Sequence, residues 1–448
     1  MIKIIKANIM DDPSRPSLDR DGDRGEKQVP PVKGGFRGVS LPVFRGSKAQ
    51  AQDVSKIVSE IISNVRANGD KAVIDYESKF DNVSLDSLEV SEREINEALT
   101  QAGEEFIALL ERAAKNIHSF HSRQVRHGFA LSDKEGVILG QRVIPLQRVG
   151  LYVPGGTASY PSSVLMDSIP AKIAGCEEIY IATPPPIKPE IIAAAHVAGV
   201  NKLFKMGGAQ AVAALAYGTE TVTRVDKIVG PGNVFVAEAK RQVFGQVAID
   251  MIAGPSEILI IADSDNNPAH LAADMLAQSE HDKLASAMLI TDSEAFAQKV
   301  SYEIEAQLPK LARYEIANAS INDNGAIILV DDLTQAIDLA NEIAPEHLEI
   351  CTQNPFEWLT RIRNAGSVFL GRNSPEALGD YYAGPNHTLP TMGTARFSSP
   401  LSVDDFVKKS QYIYYTRQAL TKASDDIEKF ANSEGLTGHA NSVAIRRM

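Results

Sequence analysis

The chain has 448 residues, 44% of them hydrophobic and 23% charged, with a formal net charge of −12. The length suits about three domains of roughly 150 residues with sizeable cores, and the acidic balance argues against nucleic acid or an anionic membrane as the main partner. Cys176 and Cys351 are the only cysteines, too few for a disulfide framework and not spaced with other zinc ligands, so buried thiols in a reducing cytoplasm are expected. The start has no signal-peptide pattern, and no stretch reaches the roughly 18 apolar residues of a membrane helix.

Residues 1–49 differ from the rest of the chain. The segment 11–35 is rich in Asp, Arg, Pro and Gly and has no periodicity, so an extended, partly disordered arm is expected. From Ala51 the pattern is helical: Val54, Ile57, Val58, Ile61, Ile62 and Val65 share one face, and Gly69 marks an end. Ser91 with Glu94 forms a capping box before a second helix, which makes 50–125 a helical region. His118, His121 and His127 lie in or near it with irregular spacing and no carboxylate partners; a solvated face is expected for them.

From Val143 short β-rich runs alternate with helices. Strands are predicted at Glu178–Thr183, Lys202–Lys205, 225–229, 258–262, 287–290, 326–330 and Ser367–Leu370. Helices are predicted at Pro189–Ala198, after Gly207-Gly208, after Gly230-Pro231-Gly232-Asn233, after Asn267-Pro268 and at Leu333–Ile343. This alternation predicts parallel sheets with crossover helices, and its length predicts two such sheets. From about Ser402 a tail follows, with an aromatic stretch (Tyr412, Tyr414, Tyr415) and a helix over 417–430.

Several features can carry chemistry. Gln278 and His281 are three residues apart on a predicted helix, so they share a face. They can hold two corners of a metal site or form an ordinary solvated face; their spacing does not separate the two. The turns Val153-Pro154-Gly155-Gly156-Thr157, Gly207-Gly208 and Gly230-Pro231-Gly232-Asn233 let backbone amides approach a phosphate. None fits G-x-G-x-x-G, because Phe235 stands where the last glycine would be, and purely structural turns fit them as well. Glu346-His347 follows Pro345 at the exit of a helix, a good position for a base pair and also for an exposed polar pair. The stretch 379–387 is a loop by composition in which Asp380 can be a hard ligand and His387 a donor. Gln278, His281, Asp380 and His439 together make an N/O ligand set that zinc accepts, though sequence spacing does not show that they converge.

The runs Tyr152-Val153-Pro154-Gly155-Gly156, Gly208-Ala209-Gln210, Gly230-Pro231-Gly232-Asn233, Ala253-Gly254-Pro255-Ser256-Glu257, Gln278-Ser279-Glu280-His281-Asp282, Ala344-Pro345-Glu346-His347-Leu348-Glu349 and Gly384-Pro385-Asn386-His387 occur in this order. With them the chain closely resembles the histidinol dehydrogenase family over about residues 50–445. The resemblance implies a zinc- and NAD-dependent enzyme that oxidises L-histidinol twice, via L-histidinaldehyde, to L-histidine, the last step of histidine biosynthesis. It implies an α/β fold of two Rossmann-like parallel-sheet domains, with a helical N-terminal region and a small C-terminal tail domain, in an intertwined homodimer. The expected division is an arm at 1–49, a first α/β domain of 50–151 plus 256–400 carrying the metal ligands and acid/base pair, an NAD-contacting domain at 152–255, and a tail at 401–448.

Carried onto this chain, the resemblance assigns one zinc per subunit to Gln278, His281, Asp380 and His439, with His439 donated to the partner subunit. Tyr152, Gln210 and Asn233 would contact NAD. Ser256, His347, His387 and Glu434 would contact substrate, as would the four zinc ligands. Glu346 and His347 would be the acid/base pair. The departures are Ser279 and Gly438 where alanine is common and Asp167 where asparagine is frequent, with an arm longer than the family leads one to expect. Two alternatives stay open: a paralogous zinc/NAD dehydrogenase of another alcohol, such as a sulfonated diol, and a zinc hydrolase using Glu346 as its base. The retained His387 and Glu434, suited to an imidazole and an amine, favour histidinol.

Overall fold

The computed structural model describes residues 2–7, 48–155 and 159–447. The expected arm at 11–35 lies outside these residues, as do Gly156 and Thr157 of the first glycine-rich turn.

The predicted alternation folds into two parallel sheets. In the first, five strands lie in the order Lys202–Lys205, Glu178–Thr183, Arg148–Tyr152, Lys227–Val229, Ala248–Ile249. The chain starts in the middle, winds outward one way, then returns and winds the other. That reversal opens a crevice beyond the carboxyl ends of Arg148–Tyr152 and Lys227–Val229, the place where such sheets bind ligands. The second sheet has six strands in the order Lys3–Lys6, Ala326–Leu329, Ser286–Thr291, Glu257–Ala262, His347–Cys351, Ser367–Leu370. Its inner strands are unbroken apolar runs, Ile258 to Ala262 and Ala287 to Ile290, all buried. Strands covered by helices on both faces need such runs. Lys3–Lys6 pairs with Ala326–Leu329, so these first residues of the expected arm are an edge strand.

The helices Lys48–Phe80 and Glu92–His121 follow the N-terminal periodicity, except that Ile57, expected on the shared face, is 44% exposed, and the capping box at Ser91 is formed. Val58, Ile61, Ile62 and Val65 bury their stripe against Gly208–Tyr217 and Val234–Val243. Leu110, Ala113 and Ile117 pack on Pro161–Ala174 and Pro189–Ala198. Both helices therefore cover the five-stranded sheet. The expected grouping of 50–151 with 256–400 is corrected on this point, because the apolar stripes find their cover on the other sheet. The expected boundary at residue 151 also falls inside that sheet's central strand, Arg148–Tyr152. His121 is corrected too: it is buried, with Nδ1 2.7 Å from Gln124 Oε1, while His118 and His127 are exposed.

A third, antiparallel sheet was not foreseen. It joins Phe129–Leu131, Val137–Pro145 and Val407–Tyr415. The aromatic stretch of the tail is thus a strand, pairing from Val407 opposite Pro145 to Tyr415 opposite Val137. The helices Arg417–Ser433 and Thr437–Ala444 follow.

Candidate active site and metal centre

The site gathers at the amino ends of the six-stranded sheet's central strands. Helix Leu333–Ile343 stops at Ala344, Pro345 forbids its continuation, and Glu346 leads directly into the strand His347–Cys351. Glu346 and His347 stand at a helix exit as expected, but His347 opens a buried strand rather than a loop. Its neighbour strand begins at Glu257, whose backbone orients both side chains. The Glu257 N–H donates to Glu346 Oε2 at 2.8 Å. His347 Nδ1 donates to the Glu257 carbonyl oxygen at 3.0 Å. A carbonyl only accepts, so Nδ1 carries the proton and Nε2 is the basic nitrogen of the neutral ring. Nε2 is buried, has no hydrogen-bond partner, and lies 3.8 Å from Asp380 Oδ1.

Gln278 sits near the end of helix Pro268–Ser279, and His281 lies in the turn just beyond it. Asp380 is on the short helix Glu376–Tyr381, not in the expected loop. Ligand atoms of His281, Glu376 and Asp380 all lie within 4.8 Å of one another. Glu376 was not singled out in the sequence, although its position four residues before Asp380 places both on one helix face. The Gln278 amide lies between Glu376 and the Glu257 N–H. With its nitrogen toward Glu376 it donates to both carboxylate oxygens, and its oxygen accepts from the Glu257 N–H at 2.7 Å. Turned over, the amide presents its oxygen to the acids, the orientation a cation among them requires. His387 donates from Nδ1 to the Asp380 carbonyl at 3.0 Å, and its Nε2 faces Ser163 Oγ at 3.1 Å.

Electrostatics bind these groups together. Burial pushes Glu346 and Glu376 each up to about 8, and Glu257 up to about 7. Burial also opposes charge on His347, but the carboxylates of Glu376, Glu346 and Asp380 outweigh it and hold the imidazole well above its ordinary value. Burial likewise resists ionisation of Asp380, yet His347, His387 and His281 hold its carboxyl below the usual range. Burial lowers His281 and His387. Crowded, desolvated acids of this kind are relieved by a cation. The mixed imidazole, carboxylate and amide donors suit zinc.

The expected dinucleotide contacts lie on the other sheet. Tyr152 ends the central strand and its hydroxyl accepts the Gly208 N–H at 3.1 Å. Gln210 is buried in the first turn of Gly208–Tyr217. Asn233 caps Val234–Val243, accepting the N–H of Phe235 at 3.0 Å and of Val236 at 3.1 Å. Tyr152 and Asn233 flank the crevice where the strand order reverses. Gly230 makes that turn possible: at φ 104 a Cβ would lie 2.2 Å from the Tyr152 carbonyl oxygen. The buried Lys240–Asp250 ion pair holds the same residue, Lys240 Nζ donating to its carbonyl at 2.8 Å and its N–H donating to Asp250 Oδ2 at 2.8 Å.

Two expected site residues do not join the cluster within the chain. His439 lies exposed on Thr437–Ala444, and Glu434 is the exposed C-cap of Arg417–Ser433. Ser256 is partly buried beside Glu257.

The family profile described as Histidinol dehydrogenase matches residues 45–447. The histidinol dehydrogenase of Clostridium acetobutylicum is 55% identical over 398 residues, 88% of this chain and 92% of that one. That of Geobacter sulfurreducens is 53% identical over 401 residues, 88% and 94% of the two chains. Among solved structures, histidinol dehydrogenase from Elizabethkingia anophelis superposes with a TM-score of 0.85 at 39% identity, covering 91% of this chain and 94% of that one. The chain belongs to the histidinol dehydrogenase family.

Proposed function

We propose that this chain oxidises L-histidinol to L-histidine through L-histidinaldehyde, with two NAD molecules in turn and one zinc per subunit. The observation that carries this reading is the single buried cluster in which His347 and Glu346 stand beside His281, Asp380 and Glu376. Gln278, His281 and Asp380 are the residues of this chain that would hold zinc. When bound, zinc supplies a template for the substrate's imidazole and amine, and NAD supplies the hydride acceptor.

The chain's own residues do the proton work. His347 offers Nε2, the unprotonated nitrogen of its neutral ring, to the alcohol proton. Its Nδ1–H on the Glu257 carbonyl fixes the ring against rotation. Glu346, pushed up to about 8, is in its ionised form a stronger base than an ordinary carboxylate, which suits activation of the water that attacks the aldehyde. His387 and Asp380 line the same cleft as His347, with Phe369 and Leu389, so the aldehyde can stay enclosed between the two oxidations.

The working unit in this reading is a homodimer in which His439 of one subunit completes the zinc site of the other, and Glu434 reaches the same site. The C-terminal segment supports it: Ile413 is 75% exposed and Phe430 69%, with Tyr412, Tyr414 and Tyr415 also open. Apolar surface of this extent calls for a partner. Both cysteines are free and buried, which suits a cytoplasmic enzyme, and among the described residues no helix is long and apolar enough to cross a membrane.

The test is to strip the protein with a chelator and offer L-histidinol and NAD before and after zinc. NADH should appear only after zinc is restored, and calorimetry should count one zinc per subunit. NADH from a sulfonated diol but not from histidinol would select the paralogue. Zinc-dependent hydrolysis without NADH would select the hydrolase.

A further inference from the structure

Glu77 lies on the helix Lys48–Phe80 where it covers the five-stranded sheet, and it is fully buried. One of its oxygens, Oε1, accepts two N–H groups: the Gly207 amide at 2.9 Å and Gln210 Nε2 at 2.9 Å. The next amide, Gly208 N–H, goes to the Tyr152 hydroxyl. Tyr152 and Gln210 thus share one helix N-terminus, and Glu77 fastens Gln210 to it. The turn has no slack. A Cβ on Gly207 would lie 2.7 Å from Pro184, and Gly208 has φ +57.

The other oxygen, Oε2, is buried without a donor. The titratable groups facing Glu77 are Asp81, just past the end of its own helix, and Tyr152 from the central strand. Burial and the Asp81 carboxylate raise Glu77 to about 7, against the N–H groups that lower it. An ionised Glu77 would hold a buried charge on a carboxylate whose Oε2 meets no donor. It would also cancel the positive end of the Gly208–Tyr217 helix, which favours anions. A neutral acid satisfies the same N–H groups and leaves that field for a diphosphate.

We propose that Glu77 is a positioning residue for the dinucleotide: as an uncharged acid it accepts from Gly207 and Gln210, and so fixes the Gly207–Gly208 turn and the Gln210 amide without adding charge. The proposal rests on the reading that Tyr152 and Gln210 contact NAD. Glutamine at position 77 reproduces the neutral acid without needing a proton; alanine leaves both N–H groups unanswered.

The experiment is calorimetric titration of the zinc-loaded protein with NAD, from about pH 6 to about pH 8.5, for the native chain, Glu77→Gln and Glu77→Ala. Thermal unfolding is followed over the same range. Glu77→Gln should match native NAD affinity at the acid end and keep it at the alkaline end, where the native chain weakens several-fold. Its Tm should gain on the native Tm as pH rises. Glu77→Ala, if it folds, should lose about tenfold in NAD affinity at every pH, with histidinol affinity unchanged. Parallel pH profiles for native and Glu77→Gln, in binding or in Tm, overturn the neutral-acid role. Native NAD affinity in Glu77→Ala overturns the positioning role. A native chain that binds no NAD removes the dinucleotide reading beneath the proposal, and the positioning role falls with it; the Tm arm still reports separately whether Glu77 is neutral.

Discussion

Asp167 shows what one buried carboxyl does to this fold. The resemblance leads one to expect asparagine at this position, and the structure makes the difference consequential. Thr388 Oγ1 donates to its Oδ1 at 2.7 Å, while Oδ2 is buried with no donor. Burial raises it from 3.8 to about 7. The folded state therefore holds this proton more tightly than the unfolded state. That preference stabilises the fold fully below about pH 4 and is lost as pH rises toward 7. Asp167→Asn keeps the acceptor for Thr388 and removes the charge. Its Tm should exceed the native Tm by about 2 °C or more at pH 8, with the gap closing toward pH 4. A gap that is the same at both ends would show that Asp167 is not a buried acid of this kind. Glu376 and Glu257 carry the opposite lesson. They are lone carboxylates in a chain with 57 acidic residues, and only the fold brings them to His347.

Local elements were the most legible part of the sequence. The helix through Val54–Val65 and the capping box Ser91–Glu94 have signals confined to a few neighbouring residues, and both are present. In the box, Ser91 N–H donates to Glu94 Oε2 at 2.8 Å, and Glu94 N–H donates to Ser91 Oγ at 3.3 Å. Ser91→Ala should cost about 1 kcal/mol in denaturant unfolding and leave activity unchanged. No loss of stability would mean the box is not maintained in solution. The crossover strands were legible because buried parallel strands are short continuous apolar runs. The antiparallel sheet was not, since Val137–Pro145 and its partner Val407–Tyr415 are remote in sequence and each is only a short alternating run. Which sheet the N-terminal helices cover was equally hidden: an apolar stripe records that a helix is covered, not by what.

At the scale of the molecule, two sheets with the same winding divide the work. One presents the carboxyl-end crevice beside Tyr152 and Asn233, and the other gathers His347, Glu346, His281 and Asp380 at its amino ends. The candidate zinc ligands were legible only through the joint order of the motifs, and His439 still lies apart from the other three within one chain. If a partner supplies it, mixing inactive Gln278→Ala with inactive His439→Ala under subunit exchange should restore up to about a quarter of native activity, because one class of heterodimer site is intact. No recovery despite demonstrated exchange would contradict a shared site. The central claim is that a single enclosed site carries both oxidations, with Glu346 serving the second. The direct measurement is the amount of NADH formed per L-histidinol consumed, with the final product identified. Two NADH and histidine are expected from the native chain, and about one NADH with stalled aldehyde from Glu346→Gln in a limited incubation. One NADH from the native chain, or equal loss of both oxidations in Glu346→Gln, would contradict the account.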